Sequence, residues 1–459
     1  MGNPDTANPH CGIHSAGAVR KQGELRGNVC KTSCRVHWSD TASGARVLCV
    51  EKWRVHAYFM LAVGDKTLSP TGRSCVAGTH PAQVVLLTNF IPPYRLELLR
   101  KLQRSLKGLH ILVSTRMEPG RPWPVDWDGL NVTAQRTISW QRTWKHPQGF
   151  SESLSWHVPW DTIRLLRQHR PEVVISAELG ARSIFSALYC RMNPETRLII
   201  WATLSERTEQ GCGLLRTLLR RWLLPRAHAI LVNGRSGERY IRGFGVCRER
   251  IVMAPYTTDM TRLLSLPVFR EEQSRKRLLF VGQLVQRKGL EALLSALARW
   301  GRTNPQQQVE LNVVGDGPLR NHLQAMTLPA NVSVIWTGTV SYDQIDTVYR
   351  RAGILVFPSL SDEWGLVTNE AMAAGLPVLG SIYSQAVEEL VEDGRSGWKF
   401  VPDDPDDLDR ALQRALSTPS SVLEEMGRRA RSSIVDLTPD AVAQKILAAV
   451  RYVSTSPND

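Results

Sequence analysis

Two carboxylates eight positions apart, Asp362 and Glu370, frame a helix start in PSLSDEWGLVTNEAMAAGLP, residues 358–377. The apolar run IleLeuValPhe at 354–357 stops at Pro358 and reads as a buried parallel strand. A polar loop, 359–363, leads into a helix that opens near Gly365. Such a strand–loop–helix aims the N–H groups of the helix start at the carboxyl edge of the sheet, where anions bind. Glu370, on the first turns, can accept two hydrogen bonds from a vicinal diol. Two acids around a phosphate-ready helix start suggest a nucleotide-sugar site. They also suit a purely structural reading, in which Glu370 complements the helix dipole and Asp362 caps the helix, each worth well under about 2 kcal/mol.

A second group stands 74 residues before Asp362. The stretch GQLVQRKG, 282–289, is a glycine turn closing on the adjacent cations Arg287 and Lys288. Converging charge and N–H groups suit a diphosphate, although an ordinary turn with two solvated cations has the same pattern. Beside it stand the turn GDGP at 315–318 and the strand end WTG at 336–338, with Gly338. Four such features at the ends of successive strands are harder to obtain by chance than any one.

The positioning elements follow from periodicity. Strands are expected at 84–87, 110–114, 173–176, 198–201 and 229–232, with helices at 94–106, 160–168, 182–191, 214–224 and 236–243. After a polar break at 259–276 the alternation restarts, with strands at 277–281, 309–314, 332–336, 354–357 and 377–380. Helices from about Pro405 end the chain, the last at 441–452. The expected fold is α/β, two tandem Rossmann-like domains with a central cleft. Residues 81–265 form the first domain, 266–436 the second, and 437–459 a terminal helix and tail. Residues 1–80 show no sustained period and read as a disordered extension, or as sequence upstream of a start near Met60 that leaves 1–59 dispensable.

The net charge of +14 is uneven: +5 over 1–80, +14 over 81–270 and −5 over 271–459. A basic middle segment implies an anionic counterpart, whether nucleic acid, a membrane surface or a phosphorylated acceptor. No zinc finger, helix-turn-helix or aromatic-rich basic sheet supports nucleic acid. Cys30, Cys34 and His37 lack a second ligand pair, so no metal is expected. No apolar run reaches the roughly 20 residues of a membrane span, and no leader pattern opens the chain, so the expected location is the cytosol. The helix at 213–224 mixes arginines with leucines. It could lie in a membrane interface, but is expected to pack on its own sheet with the arginines in water. The basic helix carrying Arg95, Arg100, Lys101, Arg104 and Lys107 is likewise expected to be a solvated face.

The series FVGQLVQRKG, VVGDGPL, WTGTV, FPSLSDEWGLVTNEAMAAGLPV and VEELVEDGRSGW resembles the donor half of the retaining glycosyltransferases of family four, which have the GT-B fold. The resemblance covers about 82–453, is strongest over 277–402, and includes the opening LTNFIPPYR at 87–95. It implies a UDP- or GDP-sugar donor, no metal or other cofactor, and a glycolipid or polysaccharide acceptor held by the basic first domain at the cytosolic membrane face. Glu370 matches the second acid of the family's Glu-x7-Glu motif, on the donor ribose, and Asp362 the first, beside the transferred sugar. Lys288 matches the lysine on the diphosphate, and the N–H groups of Gly365, Leu366 and Val367 would meet its distal phosphate. Gly282, Gln283, Arg287 and Gly338 line the same donor edge. The chain departs in having Asp at 362, one methylene short, and Gln283 where many members carry a second arginine, a place Arg287 could take. Glu178, after the strand at 173–176, falls where the family has an acceptor-side polar group; it could equally cap the next helix. The alternatives are an epimerase of the same architecture, an inactive nucleotide-sugar-binding homologue and, less well supported, a nucleic-acid-binding protein.

Overall fold

The computed structural model describes residues 36–40, 46–50, 83–118, 126–147, 149–211, 213–268 and 276–455. Of residues 1–80 it describes one antiparallel hairpin, Val36–Asp40 with Arg46–Val50; Cys30, Cys34 and Met60 lie outside the described residues. The chain from Ala77 onward forms a separate compact unit.

Within that unit, two wholly parallel sheets carry the fold. The first runs Ile251–Met253, Ala229–Val232, Arg197–Ala202, Val173–Ala177, Gln83–Thr88, Gly108–Val113, Val132–Ala134. The second runs Val332–Gly338, Val309–Val314, Leu278–Val281, Ile354–Phe357, Val378–Ser381, Gly397–Phe400. The central strands, such as 84–87, Val173–Ala177, 278–280 and Ile354–Phe357, are largely apolar and buried because both faces are covered. Val332–Gly338 and Val132–Ala134, at the edges, are partly exposed. In Gln83–Thr88, Val84 and Leu86 enter one core while Val85 and Leu87 enter the other. Leu278 and Phe280 likewise part from Leu279. These are GT-B architecture, two Rossmann-like domains in tandem.

The last helix, Pro439–Thr455, does not stay with the second sheet. Val442, Ile446 and Val450 join Val84 and Leu86 in the core of the first. Lys101, on the helix Pro93–Ser105, pairs with Asp440 at 2.6 Å.

Three expectations need correction. Between 114 and 160, where no element was foreseen, stand a short strand and the hairpin Thr137–Lys145/Ser151–Pro159. Its alternation is broken by charges, and its apolar positions are not core. The helix Leu214–Leu223 puts its arginines in water and its leucines inside only in part: Arg221 is exposed and Leu223 buried, but Arg220 is buried while Leu214, Leu215 and Leu218 stand exposed. Periodicity locates an apolar stripe without saying which way it faces. Arg95 is not on a solvated face either. It is buried, with Tyr256 and Trp201 over its guanidinium.

Candidate functional site

The donor edge is built by turns that only glycine permits. Gly315 has φ +131°, and a Cβ there would lie 1.9 Å from the Gly282 carbonyl oxygen. Gly282 N–H donates to Val314 O at 2.9 Å, and Gly315 N–H to Gly338 O at 2.8 Å. The ends of three neighbouring strands are thereby zipped together, and Gly338 acts here by supporting Gly315. At Gly289, φ is +68° and a Cβ would fall 2.0 Å from Pro358 O. That approach lets Leu360 N–H donate to Arg287 O at 2.8 Å, docking the cationic turn against the 358–362 loop.

Docking brings Lys288 and Arg287 onto Asp362, at 2.5 and 3.2 Å. Burial would raise the Asp362 carboxyl, but Lys288 and then Arg287 outweigh it and hold the group below the usual range. The acid expected beside a sugar is thus already engaged by the cations expected on a diphosphate. Gln283 is exposed on the same edge.

The helix Leu366–Ala373 begins at Gly365, whose φ is +102°; a Cβ would lie 2.6 Å from the Phe357 ring. No side chain caps this helix, so Asp362 is not its cap. The first-turn N–H groups at Leu366 and Val367 have no partner inside the helix. Glu370 is buried, with Tyr349 donating to Oε2 at 2.7 Å. Burial pushes its carboxyl up to about 7 against that one hydrogen bond. A carboxylate with one donor and open lone pairs is suited to a diol.

Facing this edge are side chains of the first sheet. Glu178 has φ +67°, and the next helix starts at Gly180 without a side-chain cap, so it is not a capping residue. Asn89 donates to it at 2.8 and 3.1 Å, and buried Arg182 pairs with it at 2.8 Å. Arg182 is anchored in turn to Ser114 at 2.7 Å. A strained, triply held carboxylate at a strand end is a positioned group. Glu363 is an exposed residue, with Thr203 donating to its carboxylate at 3.1 Å. Desolvation of that carboxyl, then repulsion from Glu178, push it up to about 7. Arg95 is close enough to both acids to attract them, and its guanidinium donates to Tyr256 Oη.

The two halves meet at this point. Gln385 bridges them, donating to Leu204 O at 3.0 Å and Glu363 O at 2.6 Å while accepting from Gly237 N–H at 3.0 Å. Arg239 pairs with Glu388 at 2.9 Å, and Asn369 donates to Tyr256 O at 3.2 Å. A cavity of about 380 Å³ lies elsewhere, behind the 286–290 turn among Phe150, Leu290, Leu319 and Leu323. It is apolar and has none of these acids.

The structure therefore brings Asp362, Arg287 and Lys288 together, sets Glu370 apart on the helix beside them, and gathers Arg95 and Glu178 opposite. Sequence reasoning missed Tyr349, Thr203, Tyr256 and Arg182, and took Glu363 only as the end of the polar loop 359–363. Asn89 was within reach, inside the LTNFIPPYR stretch. Among the described residues no cluster of His, Cys, Asp or Glu could hold a metal.

Residues 266–433 match the family described as Glycosyl transferases group 1, and residues 91–257 match that described as Glycosyl transferase 4-like domain. The chain is 30% identical over 148 residues to an uncharacterised glycosyltransferase of Methanocaldococcus jannaschii, covering 32% of this chain and 37% of that protein. It is 32% identical over 184 residues to a glycogen synthase of Mycobacterium tuberculosis, covering 38% and 43%. The chain spans less than half the length of these curated relatives. In fold it is similar to an Anabaena protein, HepE, solved in complex with UDP and glucose, with TM-score 0.60, 14% identity, and 81% and 99% of the two chains covered.

Proposed function

We propose, on the premise that this chain belongs to the glycosyl transferases group 1 family and has the GT-B fold, that it moves a hexose-type sugar from a UDP- or GDP-linked donor to a glycolipid or polysaccharide acceptor with retention at the anomeric carbon. The observation that carries this reading is Glu370: a buried carboxylate with a single protein donor, one turn inside an uncapped helix start.

In this reading Glu370 accepts the ribose hydroxyls. The diphosphate takes Lys288 from Asp362 and lies on the N–H groups of Gly365, Leu366 and Val367. These charges stabilise the leaving diphosphate without a metal. The C1–O bond to phosphate breaks through an oxocarbenium-like state, and the acceptor oxygen bonds C1 from the same face. The acceptor proton passes to the departing phosphate oxygen, so no strong protein base is needed. Arg95, Glu178 and Glu363 orient the acceptor. The cytosolic face of a membrane fits such an acceptor, and no helix among the described residues is long and apolar enough to cross one.

A second reading, a homologue that binds nucleotide sugar without transferring it, draws on the ion pairs that occupy Asp362. Purified protein incubated with a panel of nucleotide sugars, with slow donor hydrolysis measured, separates the two. Hydrolysis unaffected by chelator and lost in Glu370→Ala and Lys288→Ala supports transfer; binding without hydrolysis supports the second reading. If no donor binds at about millimolar concentration, an affinity of only about −4 kcal/mol, both fail.

A further inference from the structure

Two neighbouring elements of the first domain expose large apolar side chains. In the hairpin, register sets Ile138 opposite Val158 and Trp140 opposite Trp156, whose indoles stack with centroids 6.1 Å apart. The alternate face holds Ser139 opposite His157. A hairpin laid on a soluble body should bury the aromatic face and wet the polar one. Here the tryptophans are not buried: Trp140 and Trp156 are 46% and 43% exposed, Ser139 on the alternate face is exposed as well, and the His157 side chain is the group that turns in, 3.6 Å from Glu118. The helix Leu214–Leu223 likewise turns large apolar side chains outward. Its Arg220 is buried in an ion pair with Glu209, and Leu214 and Leu215 are 82% and 85% exposed.

The two elements adjoin. His146, at the hairpin turn, contacts Arg207 O at 3.1 Å, and Pro147 packs on Gly211, just ahead of the helix. Nine of the fourteen large apolar side chains exposed among the described residues fall between 138 and 218. Exposed large apolar side chains concentrated on adjoining elements are the composition of a docking face.

We propose that the hairpin Thr137–Lys145/Ser151–Pro159 and the helix Leu214–Leu223 form a face that inserts into the interface of an anionic lipid bilayer. Charge chooses this occupant over a protein partner. The exposed cations Arg136, Arg142, Lys145, Arg221 and Arg226 flank the apolar side chains, and residues 81–270 carry net +14. Stacked indoles and leucines rimmed by arginine suit the headgroup level, where ring and stem lie in hydrocarbon and charge meets lipid phosphate. The proposal names the surface by which the acceptor-bearing membrane of the proposed function would be reached. It does not depend on catalysis.

Flotation of the full chain with vesicles tests it, using phosphatidylcholine alone or with about one-third phosphatidylglycerol, at about 0.05 and 0.5 M salt. The expected result is binding to the anionic vesicles only, weakened by salt. It should fall at least about tenfold in Trp140→Ser/Trp156→Ser and in Leu214→Ser/Leu215→Ser. Thermal unfolding and donor hydrolysis without vesicles should be unchanged in both variants, since the altered side chains contact solvent. Absence of vesicle binding overturns the proposal. So does sedimentation showing a dimer that the same substitutions dissociate, which would make a second copy the occupant. Loss of donor hydrolysis in the wild type would instead count against the proposed function alone.

Discussion

At the residue scale, Glu370 and Asp362 are tuned in opposite directions by their surroundings. Glu370, near 7 when folded and about 4.3 when unfolded, favours its protonated form in the native state. Its contribution to stability is therefore present at low pH and lost as pH rises through that window. Glu370→Gln should match the wild type near pH 5 and exceed it near pH 8 by on the order of 2 kcal/mol in urea unfolding. Donor affinity should move the other way, strengthening in the wild type as pH rises through about 7 because only the carboxylate accepts both diol protons; calorimetric titration across pH should find this dependence absent in the Gln variant. Asp362 holds Lys288 in an ion pair, which in the proposed function a donor diphosphate must displace. Asp362→Asn should thus lower the donor KM by about tenfold, while kcat falls because the group meant to meet the sugar is gone. A rise in KM would show that Asp362 organises Lys288 rather than holding it in reserve.

At the element scale, the site depends on a turn meeting a loop. Gly289→Ala would place a methyl against Pro358 O in a backbone conformation that alanine resists. A loss of about 2–4 kcal/mol in unfolding free energy is expected, with donor binding lost in the folded fraction as Lys288 is displaced. The hairpin shows the limits of pattern. Its tip reaches the donor half, where Ser151 N–H donates to Gln286 at 3.3 Å, a pairing across 135 positions that no local signal encodes.

At the scale of the whole molecule, the last helix packs on the first sheet. Ile446 is fully buried in the core built by Val84 and Leu86. Ile446→Ala should cost about 2–5 kcal/mol and destabilise the first domain, although the residue follows the second in sequence. Limited proteolysis should then release fragments of the first sheet before those of the second. The opposite order would mean that the helix mainly serves the donor half. Gln385 works at the same scale, since one amide bonds Leu204 O, Glu363 O and Gly237 N–H.

The sequence by itself determined the central strands of the two parallel sheets, because strands covered on both faces read as apolar runs. The short strands Val132–Ala134, Ile251–Met253 and Gly397–Phe400 carry no such signal and came only with the structure. It also determined the donor edge, since glycines, cations and acids at strand ends are local features that the sheet order brings to one rim. Only the tertiary structure decided which acid is occupied and which is open, for Asp362 and Lys288 meet through the approach of Gly289 to Pro358. It alone brought Glu178 and Glu363, 185 positions apart in the chain, within electrostatic reach of each other. It alone turned the hairpin tryptophans and the helix leucines outward. Periodicity records that a stripe exists, but its direction depends on what else packs against the element, and that is fixed by residues distant in the chain.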